Sequence, residues 1–440
     1  MTEKIYLKDI AGYDEEKAEA KKIIEVLKNH EKYEKIGAYI PKGLILSGNP
    51  GVGKTMLAKA IANESNVPFY EFESNESETE AATIKSIKDL FAKARENAPS
   101  IVFIDEFDEL VMTVDFRSDY SRKTTKILLT EIDGISSSDG VLVIATTNER
   151  PMLPPALVRS GRMDKRITME MPDSIDREAI FKLYLGKNEQ LANIDAHQLA
   201  LKTANFSGAD IKTLVNETII DCASQGIENI TLSDFERNIP VVMFQDIRKK
   251  SKNGPDDLTC YHEIGHFIAE YKTSGTIGSI STERFGHVKG HVFFEEEYIE
   301  FEPVTRDTLK KKLVTMLGGL AGEEVMCGDV TSGSSDDVGK ARMFISQLMN
   351  VGAFGFDKLL PSSMIGRISR ESFPTSEKRI MEIENLECNL LTEAFEKAKT
   401  LIKENRQLVE ILYKELKQKE KLSKREVQDI LKNHKESGEL

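Results

Sequence analysis

Short apolar runs alternate with longer segments of helical periodicity along the first two-thirds of the chain. Residues 43–47, 101–104 and 141–146 are each almost wholly apolar, as expected for strands that are buried on both faces. Strands of this kind, separated by helical segments, predict a parallel sheet covered by helices. The first part of the chain is therefore predicted to have an α/β fold.

Helical periodicity continues without strands from about residue 174 to residue 239. The polar stretch 248–257 contains Gly and Pro and is interpreted as a linker. Beyond it the chain is mostly helical, and it closes on two charged helices, 385–403 and 406–419, whose apolar residues are spaced to pack inward. A mainly α-helical C-terminal domain is predicted.

Length and composition indicate a globular protein of two or three domains, with 440 residues of which 40% are hydrophobic and 30% charged. The formal net charge of −13 is spread along the chain, which argues against a nucleic acid partner. The four cysteines stand far apart and are expected to be reduced thiols. The sequence shows neither a signal peptide nor an apolar run of membrane-spanning length, so a soluble, cytoplasmic protein is expected.

A phosphate-binding loop is predicted between the first strand and a helix at residues 56–63. Glycines let backbone N–H groups surround the phosphates, and the N-terminus of the helix adds its positive end. Lys54 is expected to reach the β- and γ-phosphates of ATP, and the Thr55 hydroxyl to bind Mg²⁺. The alternative, a glycine-rich turn without a ligand, leaves the complete pattern unexplained. The predicted loop comprises Gly48, Asn49, Pro50, Gly51, Val52, Gly53, Lys54 and Thr55, followed by Met56.

An acidic pair, Asp105 and Glu106, follows the second predicted strand. The carboxyl ends of parallel strands form the ligand-binding edge of such a sheet. Asp105 is expected to hold the magnesium ion, directly or through water, and Glu106 to polarise the attacking water. The alternative is that the pair merely ends a strand; its place downstream of the phosphate loop favours the catalytic interpretation.

A second candidate site is the pentapeptide that runs from His262 to His266, which has the H-E-x-x-H pattern of zinc peptidases. Histidines four residues apart on a helix project from one face, so both imidazoles can reach one metal ion. Glu263 is then placed to take a proton from the attacking water. The alternative is a pair of histidines that simply pack. A catalytic zinc usually has three protein ligands, and His287 and His291 are further candidates, interpreted here as substrate-side or surface residues.

Two stretches, 145–148 and 155–166, resemble the second region of homology of AAA+ ATPases. A third, at the start of the chain, resembles the adenine-side entry motif of the same family. This motif includes Ile10, Ala11 and Gly12.

The AAA+ resemblance implies roles for three polar side chains. Asn148 would sense the γ-phosphate, and Arg159 and Arg162 would be arginine fingers that reach the ATP of a neighbouring subunit. Head-to-tail contacts of this kind close into a ring, typically a hexamer. The alternative for either arginine is an ordinary surface ion pair.

The segment 331–338 resembles the region of FtsH-type proteases in which an aspartate completes the zinc site. On this resemblance Asp337 is the third ligand, and Asp336 is the neighbouring carboxylate that competes for the assignment. Similarity to FtsH-type AAA+ metalloproteases extends from about Asp9 to the final helices.

The resemblance implies an ATP-dependent zinc metalloendopeptidase that uses Zn²⁺ at the peptidase site and ATP with Mg²⁺ at the ATPase site. It divides the chain into an AAA+ α/β nucleotide-binding domain (1–172), a helical lid (173–245) and a mainly helical metallopeptidase domain (246–440).

Three features depart from the family pattern. Membrane helices that usually precede the ATPase are not found, so the alternatives are a naturally soluble relative and a membrane-associated protein whose N-terminal anchor was removed. The position of the aromatic pore loop holds the acidic segment 78–82, although Tyr70 or Phe72 could be displaced into the pore instead. The family's Asp-Gly-Phe signalling segment has Ile135 as its third residue.

Two alternative functions therefore stay open beside processive proteolysis. One is an ATP-gated peptidase limited to loosely folded or basic chains, because an acidic loop grips less well than an aromatic ring. The other is a remodelling ATPase with weak peptidase activity.

Overall fold

The chain divides into two compact units, Met1–Ile239 and Pro240–Leu440, and passes from one to the other within a helix. The computed structural model describes residues 4–37, 41–72, 79–111, 119–135, 140–148, 153–154, 156–159, 161–246, 248–249, 254–286, 288–294, 305–331, 335–350 and 377–438.

The N-terminal unit combines one parallel sheet with the helices that connect its strands and a helical segment that follows it. The strands are β1 (Gly43–Gly48), β2 (Phe69–Phe72), β3 (Ser100–Ile104), β4 (Val141–Thr147) and β5 (Lys165–Met169). The helices are α1 (Asp14–Lys28), α2 (His30–Lys35), α3 (Lys54–Ser65), α4 (Glu80–Glu96), α5 (Phe107–Val111), α6 (Asp119–Asp133), α7 (Ser174–Leu185), α8 (Ala196–Lys202), α9 (Gly208–Ser224) and α10 (Leu232–Phe244), with short 3₁₀ turns at Leu7–Asp9 and Glu189–Leu191.

The sheet has the strand order β2-β3-β4-β1-β5, and all its pairs are parallel. The three predicted core strands correspond to β1, β3 and β4 and are confirmed. Every residue of β3 and β4 is buried, which explains why the sequence of each shows a continuous apolar run instead of alternation. This order brings the carboxyl ends of β1, β3 and β4 to one edge of the sheet.

The helices α7 to α10 begin with regular N-caps where a polar side chain precedes them. Asp173 accepts a hydrogen bond from the Asp176 amide, and Ser207 forms a reciprocal capping box with Asp210. The buried Arg177 donates to the carbonyls of Pro172 and Ala200 at 2.9–3.1 Å, which joins α7 to α8 and to the chain that leaves the sheet.

The C-terminal unit is mainly helical, as predicted. Its helices are α11 (Asp257–Ser274), α12 (Arg306–Met316), α13 (Gly318–Cys327), α14 (Ser335–Asn350), α15 (Glu377–Glu404), α16 (Arg406–Lys419) and α17 (Lys424–Gly438). Its short strands are β6 (Arg248–Lys249), β7 (Gly278–Ser281), β8 (Arg284–Phe285), β9 (His291–Phe294) and β10 (Lys421–Leu422), which pair antiparallel in the orders β10-β7-β9 and β6-β8.

Helix α11 lies at the centre of the second unit. Its side chains Ile264, Phe267 and Ile268 are fully buried in a cluster to which α12, α13, α15 and α16 also contribute. Two closing helices were predicted, and α16 has the predicted bounds while α15 begins earlier than expected. The helix that carries the H-E-x-x-H pattern is therefore held from several sides.

Two expectations about local structure need correction. Part of the predicted linker is a strand, because Arg248–Lys249 pairs with Arg284–Phe285 of the second unit. Phe72 belongs to the hydrophobic core and Tyr70 packs against it, so both side chains serve the packing of β2 and neither is displaced into a pore. Of the acidic segment 78–82 at the pore-loop position, Glu78 lies outside the described residues, Thr79 is the N-cap of α4, and residues 80–82 form the first turn of that helix.

The backbones of α11 and α13 cross in direct contact through glycines. A Cβ atom added to Gly265 would lie 2.2 Å from the Gly318 carbonyl oxygen, and one added to Gly322 would lie 2.2 Å from the Tyr261 carbonyl oxygen. Real Cβ atoms do not approach so closely, so any side chain at these positions would push the helices apart.

The described helices include none long and apolar enough to cross a membrane.

We predict that Gly318→Ala destabilises the second unit, because the added Cβ would lie 2.6 Å from the Gly265 carbonyl oxygen. Overpacking of this kind costs about 1–3 kcal/mol. Gly339→Ala in α14 is the matched control, since a Cβ there meets nothing within 4 Å and alanine favours a helix by about 0.5–1 kcal/mol. Thermal unfolding should show a lower midpoint for the first variant and an equal or higher one for the second; equal midpoints for Gly318→Ala and the parent would contradict the close crossing.

Candidate functional sites

The predicted phosphate loop lies between β1 and α3. Gly53 precedes α3 with a φ of 106°, a left-handed conformation that glycine adopts without strain. The loop carbonyl of Gly51 accepts a hydrogen bond of 3.1 Å from the Ala209 amide at the start of α9. The loop is thus joined to the helical segment that follows the sheet.

Lys54 is buried, and its ammonium donates three hydrogen bonds. Its Nζ atom lies 2.8 Å from the carbonyl oxygens of Gly48 and Asn49 and 2.7 Å from Oδ1 of Asn148. Burial lowers the pKa of Lys54, against the opposing effect of Asp105, Asp108 and Glu106. The structure therefore brings the predicted γ-phosphate sensor and the phosphate-binding lysine together.

Asp105 and Glu106 lie at the carboxyl end of β3, beside the start of α3. The Thr55 hydroxyl donates to Asp105 Oδ2 at 3.1 Å, so the two predicted magnesium ligands are adjacent. Glu106 is exposed and has a φ of 48°. The sequence pattern did not single out Thr146, although its hydroxyl contacts both acidic residues.

The predicted entry motif packs along α3 and α7. The Leu7 amide donates to Glu64 of α3 at 2.9 Å, and the Tyr13 amide donates to Asp176 of α7 at 2.9 Å. Ile10 between them is buried. Ala11 and Gly12 complete the turn into Tyr13, which precedes α1.

The two predicted arginine fingers have different surroundings. Arg162 forms a bidentate pair with Asp133, with N···O distances of 2.7 and 2.8 Å, and donates to the Ala156 carbonyl at 2.6 Å. Arg159 is exposed.

The second site is built on one face of α11, where His262 and His266 lie one turn apart. The Nε2 atoms of His262 and His266 are 3.1 Å from each other, and Oδ2 of Asp337 lies 3.1 Å from the first and 3.3 Å from the second. Among the described residues these three side chains form the one group of His, Cys, Asp and Glu able to hold a metal ion. Asp337, which reaches the site from the first turn of α14, was located only by the family resemblance.

This triangle fits zinc. Bonds of about 2.0–2.2 Å to a tetrahedral Zn²⁺ place its donor atoms about 3.3 Å apart. Oδ2 of Asp337 is buried and accepts no hydrogen bond of good geometry from any described residue, despite its distance of 3.1 Å from His262. An added Cβ on Gly319 would lie 2.5 Å from Nε2 of His266 and 2.6 Å from Nε2 of His262, so the glycine keeps the space beside these atoms open.

The second nitrogen of each imidazole is already hydrogen-bonded. Nδ1 of His266 lies 2.7 Å from the Thr315 carbonyl, and Nδ1 of His262 lies 2.8 Å from Oε1 of Glu323. Because a carbonyl can only accept, Nδ1 of His266 carries the proton and Nε2 keeps a lone pair for a metal. Glu323 also accepts from the Thr331 amide at 2.6 Å, which ties the chain that leads to Asp337 to the same carboxylate.

Electrostatics favour a cation at this position. Burial disfavours the charged imidazole of His262, but the carboxylates of Asp337 and Glu323 outweigh it and raise its pKa to about 10. A divalent metal ion would benefit from the same negative surroundings.

Glu263 lies beside the triangle and is buried, with 6% of its surface exposed. Burial raises the pKa of this carboxyl to about 7. The backbone of Gly290, just before β9, lies against it: an added Cβ would be 2.6 Å from Oε1 and 2.7 Å from Cγ. The sequence pattern gave no signal for Gly290, Thr315 or this role of Glu323, because each reaches the site from another element.

Of the two other histidine candidates, His291 is described by the structure, and it does not belong to the triangle. His291 is buried among the rings of Phe244, Phe285 and Phe293, and burial lowers its pKa to about 3. Its interpretation as a surface residue is wrong, because the aromatic cluster covers it. His287 lies outside the described residues.

Comparison with known proteins covers both units. Residues 44–171 match the ATPase family associated with various cellular activities (AAA), residues 193–237 the AAA+ lid domain, and residues 248–430 Peptidase family M41. Nearly the whole chain is also similar to proteins named ATP-dependent zinc metalloprotease FtsH. The Acholeplasma laidlawii protein is 32% identical over 97% of this chain and 69% of its own length, the Thermotoga maritima protein 33% over 97% and 73%, and the Bacillus subtilis protein 31% over 97% and 70%.

The chain belongs to the FtsH family. Membership confirms the predicted fold class, an AAA+ domain with a helical lid and a mainly helical peptidase domain. It also confirms the enzyme class and cofactors: the chain is an ATP-dependent metalloprotease that uses Zn²⁺ at its peptidase site and ATP with Mg²⁺ at its AAA site. Membership in this family suggests a homo-oligomeric AAA+ ring that acts on polypeptides.

We predict that Asp337→Ala lowers zinc content and proteolysis together, because it removes one of the three donor atoms. Asp336→Ala is the matched control, since the Asp336 side chain is 76% exposed and pairs with Lys340 at 2.8 Å. Zinc per chain after dialysis, measured by atomic absorption, should fall only in the first variant. The reverse ranking would move the ligand to Asp336.

We predict that Gly290→Ala impairs proteolysis while zinc content and ATPase activity stay at the parent level. The three heavy atoms nearest to the new Cβ all belong to Glu263, so the Glu263 side chain is the group that would be displaced first. A displacement of about 1 Å in a reacting group can cost up to about 10²-fold in rate. Peptide cleavage is the measurement, with Gly339→Ala as the glycine-to-alanine control; cleavage at the parent rate would mean that β9 does not position Glu263.

Proposed function

We propose that this chain degrades polypeptides at the His262–His266–Asp337 site and works as a homohexameric ring. ATP hydrolysis at the phosphate loop of the same chain drives the polypeptide to that site. The observation that carries the proposal is the convergence of three donor atoms, 3.1–3.3 Å apart, beside the buried carboxyl of Glu263. Such a set suits metal-assisted peptide hydrolysis and has no use in an ATPase that only remodels its substrate.

In the peptidase site, His262, His266 and Asp337 would hold the zinc ion. Bound there, zinc supplies a Lewis acid for hydrolysis of the peptide bond. Glu263 takes a proton from the attacking water and returns one to the leaving amine. Burial raises the pKa of this carboxyl above its usual range, which favours the return of the proton.

In the ATPase site, Lys54 would bind the β- and γ-phosphates, and Thr55 and Asp105 would hold the magnesium ion. Glu106 polarises the attacking water, and Asn148 senses the γ-phosphate. The hydrogen bond of 2.7 Å from Lys54 to Asn148 supports this, because a phosphate group entering the loop would compete for the same ammonium protons. The adenine lies along Ile10, Ala11 and Gly12.

Arg159 and Arg162 act on the ATP of the neighbouring subunit. The exposure of Arg159 supports its assignment. Arg162 is engaged by Asp133 in the single chain, so it would have to exchange this partner for the phosphate of its neighbour. The exchange gives the ring a way to couple ATP occupancy to the segment that contains Asp133.

Two further statements stay predictions. One is the location of the protein in the cytoplasm, and the other is the restriction to loose or basic substrates that the acidic loop suggests. No contact among the described residues favours the restricted substrate range over general proteolysis.

Two glutamine variants should separate the two chemistries. Glu263→Gln keeps the shape of the side chain but cannot take a proton, so peptide cleavage should fall by about 10²–10⁴-fold. ATP hydrolysis should continue in this variant. Casein degradation and phosphate release, followed in parallel, are the measurements.

Glu106→Gln should bind ATP without hydrolysing it. Digestion of casein, which needs ATP-driven transport, should then stop. If Glu263→Gln cleaves casein at the wild-type rate, Glu263 is not the general base. If Glu106→Gln hydrolyses ATP at the wild-type rate, Glu106 does not polarise the attacking water.

A further inference from the structure

Strand β4 presents a buried hydroxyl to the acidic pair of the ATPase site. Thr146 is 1% exposed, and its Oγ1 atom accepts a hydrogen bond of 3.0 Å from the Glu106 amide. The same hydroxyl donates to Oδ1 of Asp105. One side chain therefore contacts the backbone of one acidic residue and the carboxylate of the other.

The proton on this hydroxyl has a defined direction. Because Oγ1 accepts from the Glu106 amide, its own hydrogen must point to another acceptor, and Asp105 Oδ1 is within hydrogen-bond distance. Thr55 donates to the other carboxylate oxygen of Asp105 at 3.1 Å. The Asp105 carboxylate is thus fixed at both oxygens by hydroxyls from two different elements.

Glu106 needs this support more than most residues would. Its φ of 48° lies in the left-handed region, which is unfavourable for a residue with a Cβ. The hydrogen bond that the Glu106 amide donates to the Thr146 hydroxyl holds the turn between β3 and α5 in that conformation.

Asn148 stands two residues beyond Thr146, and residues two apart on an extended chain share one side. Its Oδ1 atom accepts from Lys54 at 2.7 Å. The end of β4 therefore contacts both the phosphate-binding lysine and the acidic pair.

We propose that Thr146 is a positioning residue for ATP hydrolysis: it orients Asp105 toward the magnesium ion and locks the left-handed turn that aims Glu106 at the attacking water. The inference rests on the roles proposed above for Asp105 and Glu106. It predicts that loss of the hydroxyl slows the chemical step more than it weakens nucleotide binding.

The test uses Thr146→Val in the full chain, which replaces the hydroxyl by a methyl group of similar size. We expect kcat for ATP hydrolysis to fall by about 10-fold or more, and the Mg²⁺ concentration for half-maximal rate to rise. The dissociation constant of a fluorescent ATP analogue should stay within about threefold. Thr146→Ser, which keeps the hydroxyl, should restore most of kcat.

Two further variants make the result decisive. Thr218→Val removes another fully buried hydroxyl of the same unit, one that donates to the Leu214 carbonyl at 2.8 Å within α9, and should leave kcat unchanged. Glu106→Gln runs in parallel. If Glu106→Gln is inactive but Thr146→Val hydrolyses ATP at the parent rate, the role of Thr146 is refuted while the assignment of Glu106 stands.

The remaining outcomes also decide. If both variants hydrolyse ATP normally, the assignment of the acidic pair fails and the inference fails with it. Equal losses in Thr146→Val and Thr146→Ser, or a loss of nucleotide binding as large as the loss of kcat, would indicate a structural defect and overturn the positioning role.

Discussion

The peptidase site depends on the direct contact between the backbones of α11 and α13. At Gly265, Gly318 and Gly322 the helices approach so closely that a Cβ would collide with a carbonyl oxygen. Because α13 is brought this close, Glu323 reaches His262 and Gly319 leaves room beside both Nε2 atoms. The last turn of α12, which leads directly into α13, brings the Thr315 carbonyl to His266. Orientation of both imidazoles is thus a consequence of helix packing.

The crossing also concentrates negative charge where little water can reach it. Glu263, Glu323 and Asp337 all lie close to the two imidazoles, and the first two are almost fully buried. Buried carboxylates are costly unless a cation or hydrogen-bond donors compensate them. A divalent cation between the three donor atoms meets this requirement. Metal binding and the stability of the second unit are therefore expected to be linked.

The sequence predicted best those features that lie within a single element. The strands β1, β3 and β4, the phosphate loop and the two histidines on α11 each follow from a local pattern. Glu323, Gly290 and Thr146 could not be located in this way, because their roles arise where a second element packs against the first. The buried position of His291 was missed for the same reason: its neighbours Phe244, Phe285 and Phe293 come from three separate segments. Asp337 is an intermediate case: no local pattern identified it, but similarity to a family connected it with His262 and His266, which are distant along the chain.

The two glutamates with a proposed catalytic role are each held by a neighbouring element, Glu106 by strand β4 and Glu263 by the backbone just before β9, but the physical means differ. Glu106 is exposed, so packing cannot orient it; its backbone is instead held in a left-handed turn by the hydroxyl of Thr146. Glu263 is buried on a regular helix, and there the backbone at Gly290 limits the space open to its side chain. The arrangement around Glu263 also removes water from its carboxyl, and this burial raises the pKa of that carboxyl to about 7. Proton transfer in peptide hydrolysis needs a base that also returns a proton as an acid, whereas a glutamate that orients water for attack on a phosphate needs mainly direction. The burial of one glutamate and the exposure of the other therefore follow from the different chemistry of the two sites.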